Sequence, residues 1–274
     1  MRTPLALRVP AARRTLATAA SGPSIAGTVA YHRAYILLHT HVPPPAFPAR
    51  VPSALQRELQ LRTARWGALV NHAWLPSAGP PAAPEWDDAD TEAYAASAYA
   101  PGRPRLDIPR VARADLDAVA EALRAHAAAP PARAHGPLEL YVCTHAARDC
   151  RCGTAGQAVF DALCAEVARR GLGGDVRVGA VGHVGGHKYA ANVLVFPWGE
   201  WLGNVTPGDV PALIDNLQRA HSEAAFDYRE SAPLFPQNIW RGRMGLDKEE
   251  QLALVGQGEV SAPDAPLTPH ASRS

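Results

Sequence analysis

The chain has 274 residues, of which 47% are hydrophobic and 19% charged, with a formal net charge of +1. That is the composition of a globular protein able to bury one or two ordinary cores, and it excludes a fibre or a wholly disordered chain. No stretch approaches eighteen uninterrupted apolar residues, so no membrane span is expected. Four cysteines in so long a chain are too few for a disulfide scaffold, which favours metal or redox use.

The small net charge hides an asymmetry. Through Arg57 there is no Asp or Glu, and seven arginines give +7, leaving 20 basic against 26 acidic residues and a net −6 for the remainder. Residues 1–24 are rich in Arg, Ala, Ser and Thr and lack an apolar secretory core, which is the composition of an organellar transit peptide. A mitochondrial location is the expectation, and a cytoplasmic one the alternative. Because Lys188 and Lys248 are the only lysines, the arginine content alone says less than the missing acids.

In chain order, Tyr31 to Thr40 is apolar and β-prone and predicts a strand. Ser53 is a plausible N-cap for the following helix, which leads past Gly67 into a strand carrying Ala68, Val70 and Trp74. The Pro-, Ala- and Asp-rich segment 77–104 reads as a loop or insertion. The spacing of Leu116, Val119, Ala120 and Leu123 predicts one helix face. Residues 129–137, APPARAHGP, read as a linker. These features give an N-terminal α/β domain over 25–128.

A second domain is expected over 136–250. LELYVCTH predicts a strand ending in a cysteine-rich loop, and the next helix turns Val159, Phe160, Leu163, Cys164 and Val167 inward before stopping at Gly171 or Gly173. Strands follow at DVRVGAVG, ANVLVFPWG and WLGNV. A last helix is capped by Thr206 with Pro207 in its first turn. The order β-α-β, loop, β-β-α indicates an α/β layer fold in which the cysteine and histidine loops both lie at strand ends. Residues 226–251 either pack back across the domains or serve in docking, and residues 259–274 read as a disordered tail. No internal repeat is evident.

Two stretches carry the chemistry: CTHAARDCRCG at 143–153, holding three of the four cysteines, and GHVGGHKYAANVLVFPWG at 182–199. Cys143 and Cys152 enclose eight residues, enough for a loop to wrap a metal centre, whereas Cys150 and Cys152 are close for a chelate. Gly185 and Gly186 argue for a loop between His183 and His187. Two thiolates and two imidazoles suit tetrahedral zinc or a mixed-ligand [2Fe-2S] centre, and spacing alone does not separate them. Cys164 reads as a buried small hydrophobe, Cys150 as a spare or redox-active thiol, and His145 as a loop histidine bonded to backbone or orienting the cysteine loop. Arg148, Arg151 and Lys188 form either a hydrated rim or a surface attractive to acidic partners.

YVCTHAARDCRCG and GHVGGHKYAANVLVFPWGEWLGNV resemble the sucrase/ferredoxin-like family, including its fungal mitochondrial-inheritance members. The resemblance extends more loosely over residues 25–250. It implies a C-terminal thioredoxin-like ferredoxin domain, preceded by a degenerate thioredoxin-like N-terminal domain without cysteines. It also implies a [2Fe-2S] cluster held by Cys143, Cys152, His183 and His187.

Such a site has zero net charge when oxidised and −1 when reduced, against −2 and −3 for four thiolates, so histidine ligation raises the potential. A second ring nitrogen on each histidine also offers a route to coupled proton uptake. An electron carrier or redox sensor is the leading expectation, more than a substrate-turning enzyme, with an unidentified redox protein as partner. The alternatives are a thioredoxin-like thiol oxidoreductase using Cys150, or a zinc-stabilised binding module. A thiol enzyme would usually show C-x-x-C at a helix start. No hydrolase, phosphate-loop or dinucleotide signature is present, and nucleic-acid binding has only the arginine-rich start in its favour.

Overall fold

The computed structural model describes residues 22–76, 91–132, 136–222 and 226–260. The first half runs β1 (Ala34–His39), α1 (Ala54–Ala64), β2 (Ala68–Trp74), β3 (Ala93–Tyr99), β4 (Leu106–Ala112) and α2 (Leu116–Ala128). The second runs β5 (Leu138–Cys143), α3 (Gln157–Arg170), β6 (Val176–Val181), β7 (Val193–Phe196), β8 (Glu200–Leu202) and α4 (Val210–Ser222), followed by β9 (Trp240–Arg243) and α5 (Lys248–Val260). All nine strands join one sheet in the order β4-β3-β1-β2-β6-β5-β7-β8-β9. The architecture is mixed α/β, as expected.

The two halves share one topology. In each, the first two strands are parallel, the third lies antiparallel to the first, and the fourth antiparallel to the third. The repeat is architectural, which is why the residues themselves did not disclose it. The halves meet where β2 and β6 pair antiparallel through Ala73–Val181 and Trp74–Ala180.

Several local signals act as read. The Ser53 hydroxyl accepts the Gln56 N–H at 2.9 Å and caps α1. Thr206 and Asp209 form a capping box at the turn that opens into α4. Gly171 ends α3 at φ 67°, in the left-handed region that suits glycine.

The reading of 77–104 as a loop needs correction, because residues 93–99 form β3; residues 77–90 lie outside the described part. The strand is alanine-rich, since Tyr94, Ala96 and Ala98 pack under the helices of the first half. β4 also went unpredicted. It contains Pro109, which its position at the sheet edge tolerates. The transit-peptide reading of 1–24 falls almost wholly outside the described residues, as does most of the 259–274 tail.

Alternation places Leu138, Leu140 and Val142 of β5 toward α3 and α4, and Tyr141 and Cys143 toward the opposite face. Ala34, Ile36 and Leu38 of β1 likewise face α1 and α2. On the opposite face the sheet curls over itself. Although three strands separate β3 from β5, the Tyr99 hydroxyl bonds to Glu139, and its ring stacks on Phe196 of β7 at 3.8 Å between centroids. The resulting third core holds Tyr35, Leu37, Tyr99, Tyr141, Phe196 and Trp201 together with both Cys143 and Cys152.

The segment left open between packing and docking packs back. β9 extends the sheet beside β8, and residues 25–28 run along it through Ile25 N–H to Gln237 O at 2.8 Å and Thr28 N–H to Arg241 O at 3.0 Å. Arg243 on β9 is fully buried and pairs with the equally buried Glu200 at 2.6 Å, while the Trp240 indole N–H also donates to Glu200. Removing one member of such a pair strands a buried charge. Glu200→Ala is therefore expected to lower stability by about 3–5 kcal/mol, read as a fall in the urea midpoint; an unchanged midpoint would contradict this account.

Candidate metal centre

Both chemistry-bearing loops leave the same end of the parallel β5–β6 pair. Cys143 is the last residue of β5 and stands opposite Val181, the last of β6. His183 follows two residues later. From Cys143 the chain loops out through Cys150 and returns at Cys152, which opens a π-helical turn (residues 152–156) leading into α3. Gly156 in that turn lies against the Cys143 carbonyl so closely that no Cβ could be accommodated. The glycine thereby sets how near Cys152 comes to Cys143.

Cys143, Cys152 and His183 converge, with their ligand atoms all within 4.8 Å of one another. Cys152 Sγ lies 3.7 Å from His183 Nδ1. The cysteines are 1% and 0% exposed, so the donors face the interior. Without a metal the pair shares a proton unequally. The Cys152 S–H holds the Cys143 thiol well below its usual range, helped by His183 and opposed by burial. Cys152 is pushed far up by its hydrogen bond to Cys143 and by burial. A soft cation replaces that shared proton naturally, since it stabilises both sulfurs as thiolates.

His187 is nearby but outside that tight group. Its ring is 5.7 Å from that of His183, nearly parallel, and its side chain is 47% exposed. Nδ1 of His187 faces Asp149 at 3.6 Å. Asp149 receives hydrogen bonds from the Arg151 side chain and backbone, and they hold its carboxyl down to about 2. A permanent anion therefore stands beside His187.

The remaining cysteines stay apart from the converging donors. Cys150 is exposed, and Cys164 is only partly buried against the second-half core. Cys164 thus sits less deeply than its helical spacing suggested, although burial still raises its pKa.

Two supports were partly or wholly missed in the sequence. His145, 4% exposed, donates through Nε2 to the Pro48 carbonyl at 2.9 Å and accepts the His183 N–H on Nδ1 at 3.3 Å. It therefore orients the histidine loop and ties it to the chain following β1. Burial lowers its pKa and keeps it neutral, as this bonding requires. Asn192 is the second support: its carbonyl accepts the Cys143 N–H at 3.0 Å and its side-chain amide donates to Gly186 O at 3.2 Å. Only its place in the histidine-containing block could have drawn attention to it.

The sucrase/ferredoxin-like family model matches residues 25–230. The chain belongs to the sucrase/ferredoxin-like family. Among curated relatives, Altered inheritance of mitochondria protein 32 of Debaryomyces hansenii is 41% identical over 81 residues, covering 28% of this chain and 29% of the relative. Actin patches distal protein 1 of Saccharomyces cerevisiae is 34% identical over 90 residues, 28% of each chain. The aligned part thus spans less than a third of these relatives. Among solved structures, a thioredoxin-like [2Fe-2S] ferredoxin from Aquifex aeolicus covers 32% of this chain and 90% of its own, at 18% identity and a TM-score of 0.29.

Within this family member, the buried donors and the exposed thiol should separate cleanly. Metal content of the purified proteins is expected to fall in Cys143→Ser and Cys152→Ser and to stay at the level of the unsubstituted protein in Cys150→Ser. Loss in Cys150→Ser with retention in Cys152→Ser would reverse the assignment.

Proposed function

We propose that this protein binds a [2Fe-2S] cluster through Cys143, Cys152, His183 and His187 and serves in one-electron transfer or redox sensing. The observation that carries the reading is the convergence of three soft donors, two of them fully buried cysteines, at the end of β5 and β6. Membership of the sucrase/ferredoxin-like family supports it.

The donor set fits. Two sulfurs and one imidazole nitrogen come together already, and His187 stands next to His183 as the fourth donor. Ligating histidines commonly turn their second nitrogen toward a carboxylate or carbonyl, and Asp149 is the carboxylate facing His187. When bound, the cluster takes up and releases a single electron. The chain's part is to hold the thiolates away from water, to fix His183 through His145, and to leave the His187 edge open.

A zinc site is the second reading. Bonds of about 2.0–2.3 Å to one tetrahedral ion place its donors roughly 3.3–3.8 Å apart, and the Cys152–His183 separation of 3.7 Å suits that as well. The thiol-oxidoreductase alternative has less support, because Cys150 is exposed while Cys143 and Cys152 are buried.

Visible absorption and the electron paramagnetic resonance of reduced, anaerobically purified protein decide between the first two. The cluster reading expects a coloured protein with a paramagnetic reduced state; a colourless protein carrying zinc would sink it. His187→Cys should then retain the cluster and lower its midpoint potential, since a thiolate makes the site more negative than an imidazole. An unchanged potential would remove His187 from the ligand set.

A mitochondrial location belongs to the same proposal, resting on the composition of residues 1–24. Import into isolated mitochondria should require those residues. Equal import of a chain starting at residue 25 would overturn it.

A further inference from the structure

The strand β9 buries two guanidinium groups in different ways. Arg243 has a carboxylate partner, Glu200, at 2.6 Å. Arg241, two residues earlier and 4% exposed, makes no ion pair with a carboxylate among the described residues. Its partners are neutral: Asn192 Oδ1 at 2.7 Å, Thr28 O at 3.2 Å, Thr28 Oγ1 at 3.3 Å and Gly185 O at 3.4 Å. The rings of Tyr189 and Trp201 lie 5.1 and 5.8 Å from its guanidinium carbon. An arginine does not discharge in a protein, so a buried one without an anion is costly unless something negative occupies the neighbourhood.

That neighbourhood is the candidate metal centre. Arg241 lies beneath the loop joining His183 to His187. It bonds the Gly185 carbonyl, and a side chain at Gly186, where φ is 66°, would run into its guanidinium. Through Asn192 it is one residue removed from Cys143, since Asn192 accepts the Cys143 N–H while its side chain accepts from Arg241. In the cluster reading, the thiolates of the site supply the missing counter-charge.

Building on the cluster reading, we propose that Arg241 is the built-in counter-cation of the metal centre: it holds the 183–187 loop from below and raises the midpoint potential of the bound cluster. Reduction adds one electron and makes the site one unit more negative, with dithionite as the electron source in a titration. A fixed positive charge in a poorly solvated interior favours the more negative state. A merely structural arginine would leave the equilibrium where it was.

Two variants of the full chain test the charge without relying on one truncation. Arg241→Gln removes the cation. Asn192→Asp keeps it and places a carboxylate on the atom it already bonds. Because each change also removes a hydrogen bond to the 183–187 loop, both are read on the cluster-loaded fraction, where the oxidised-to-reduced ratio at a fixed potential is expected to shift at least tenfold toward the oxidised form, ~59 mV for one electron. Arg241→Lys should stay within about threefold of the unsubstituted protein, roughly half that logarithmic shift. An unchanged midpoint in Asn192→Asp overturns the proposal, even if Arg241→Gln does not fold. If the unsubstituted protein instead purifies colourless with zinc, it is the cluster reading that has failed. The same variants are then read by zinc affinity: a divalent cation makes the site less negative, the reverse of reduction, so removing or offsetting the guanidinium should raise that affinity at least tenfold, and unchanged affinity overturns the counter-cation role.

Discussion

Cys143 stands opposite Val181 because β5 and β6 run parallel and in unbroken register from the Leu138–Val176 pair onward. Parallel neighbours deliver their C-terminal ends to the same edge, so the loops leaving them are adjacent without any long-range search. A slip of one residue would turn Cys143 toward α3 and α4, where Val142 now packs. Metal-donor geometry therefore depends on ordinary strand pairing. The apolar contacts of Leu138, Leu140 and Val142 on one face fix what Cys143 presents on the other.

The first half contains an instructive counterpart. His39 ends β1 opposite Ala73 as Cys143 ends β5 opposite Val181. The next residues correspond too: Thr40 N–H bonds to Ala73 O as Thr144 N–H bonds to Val181 O. His39-Thr40-His41 thus occupies the positions of Cys143-Thr144-His145. His39 hydrogen-bonds Ser97 at 2.8 Å, and Ser97 bonds Asp107 at 3.0 Å, so this end is committed to a polar link among β1, β3 and β4. The same topology supports a donor cluster in one half and a structural hydrogen-bond chain in the other. Loop chemistry, more than the layer, decides what a strand end does.

What the sequence made legible follows from where the information is local. That the cysteine and histidine loops would meet was legible from the strand order, while the choice of Cys143, Cys152, His183 and His187 came only with the family resemblance; the Ser53 and Thr206 caps were legible because their hydroxyls act within three residues. β3 was not legible: its alanines are small for lack of room beneath the helices, which becomes apparent only when the sheet is assembled. Pro109 sits in β4 at the sheet edge, which likewise becomes apparent only when the strands are ordered. Arg241 was opaque for a related reason. Nothing in NIWRGRMG distinguishes it from Arg243, yet one meets a glutamate brought by β8 and the other meets only amides, carbonyls, a hydroxyl and aromatic rings.

The curled sheet gives the two sides of the centre different solvents. On the sulfur side, Tyr35, Leu37, Tyr99 and Phe196 of both halves close over the face that carries Cys143 and Cys152, leaving those residues essentially inaccessible. On the histidine side, His187 and its neighbour Lys188 reach the surface. Low polarity on the sulfur side strengthens every charge interaction there, including any with Arg241, while the open side limits how much the site is isolated from a partner. In the proposed cluster reading, the half without cysteines therefore contributes to function by excluding water. It makes the thiolates depend on fixed dipoles and on one buried cation, and it leaves imidazole as the edge that meets the outside.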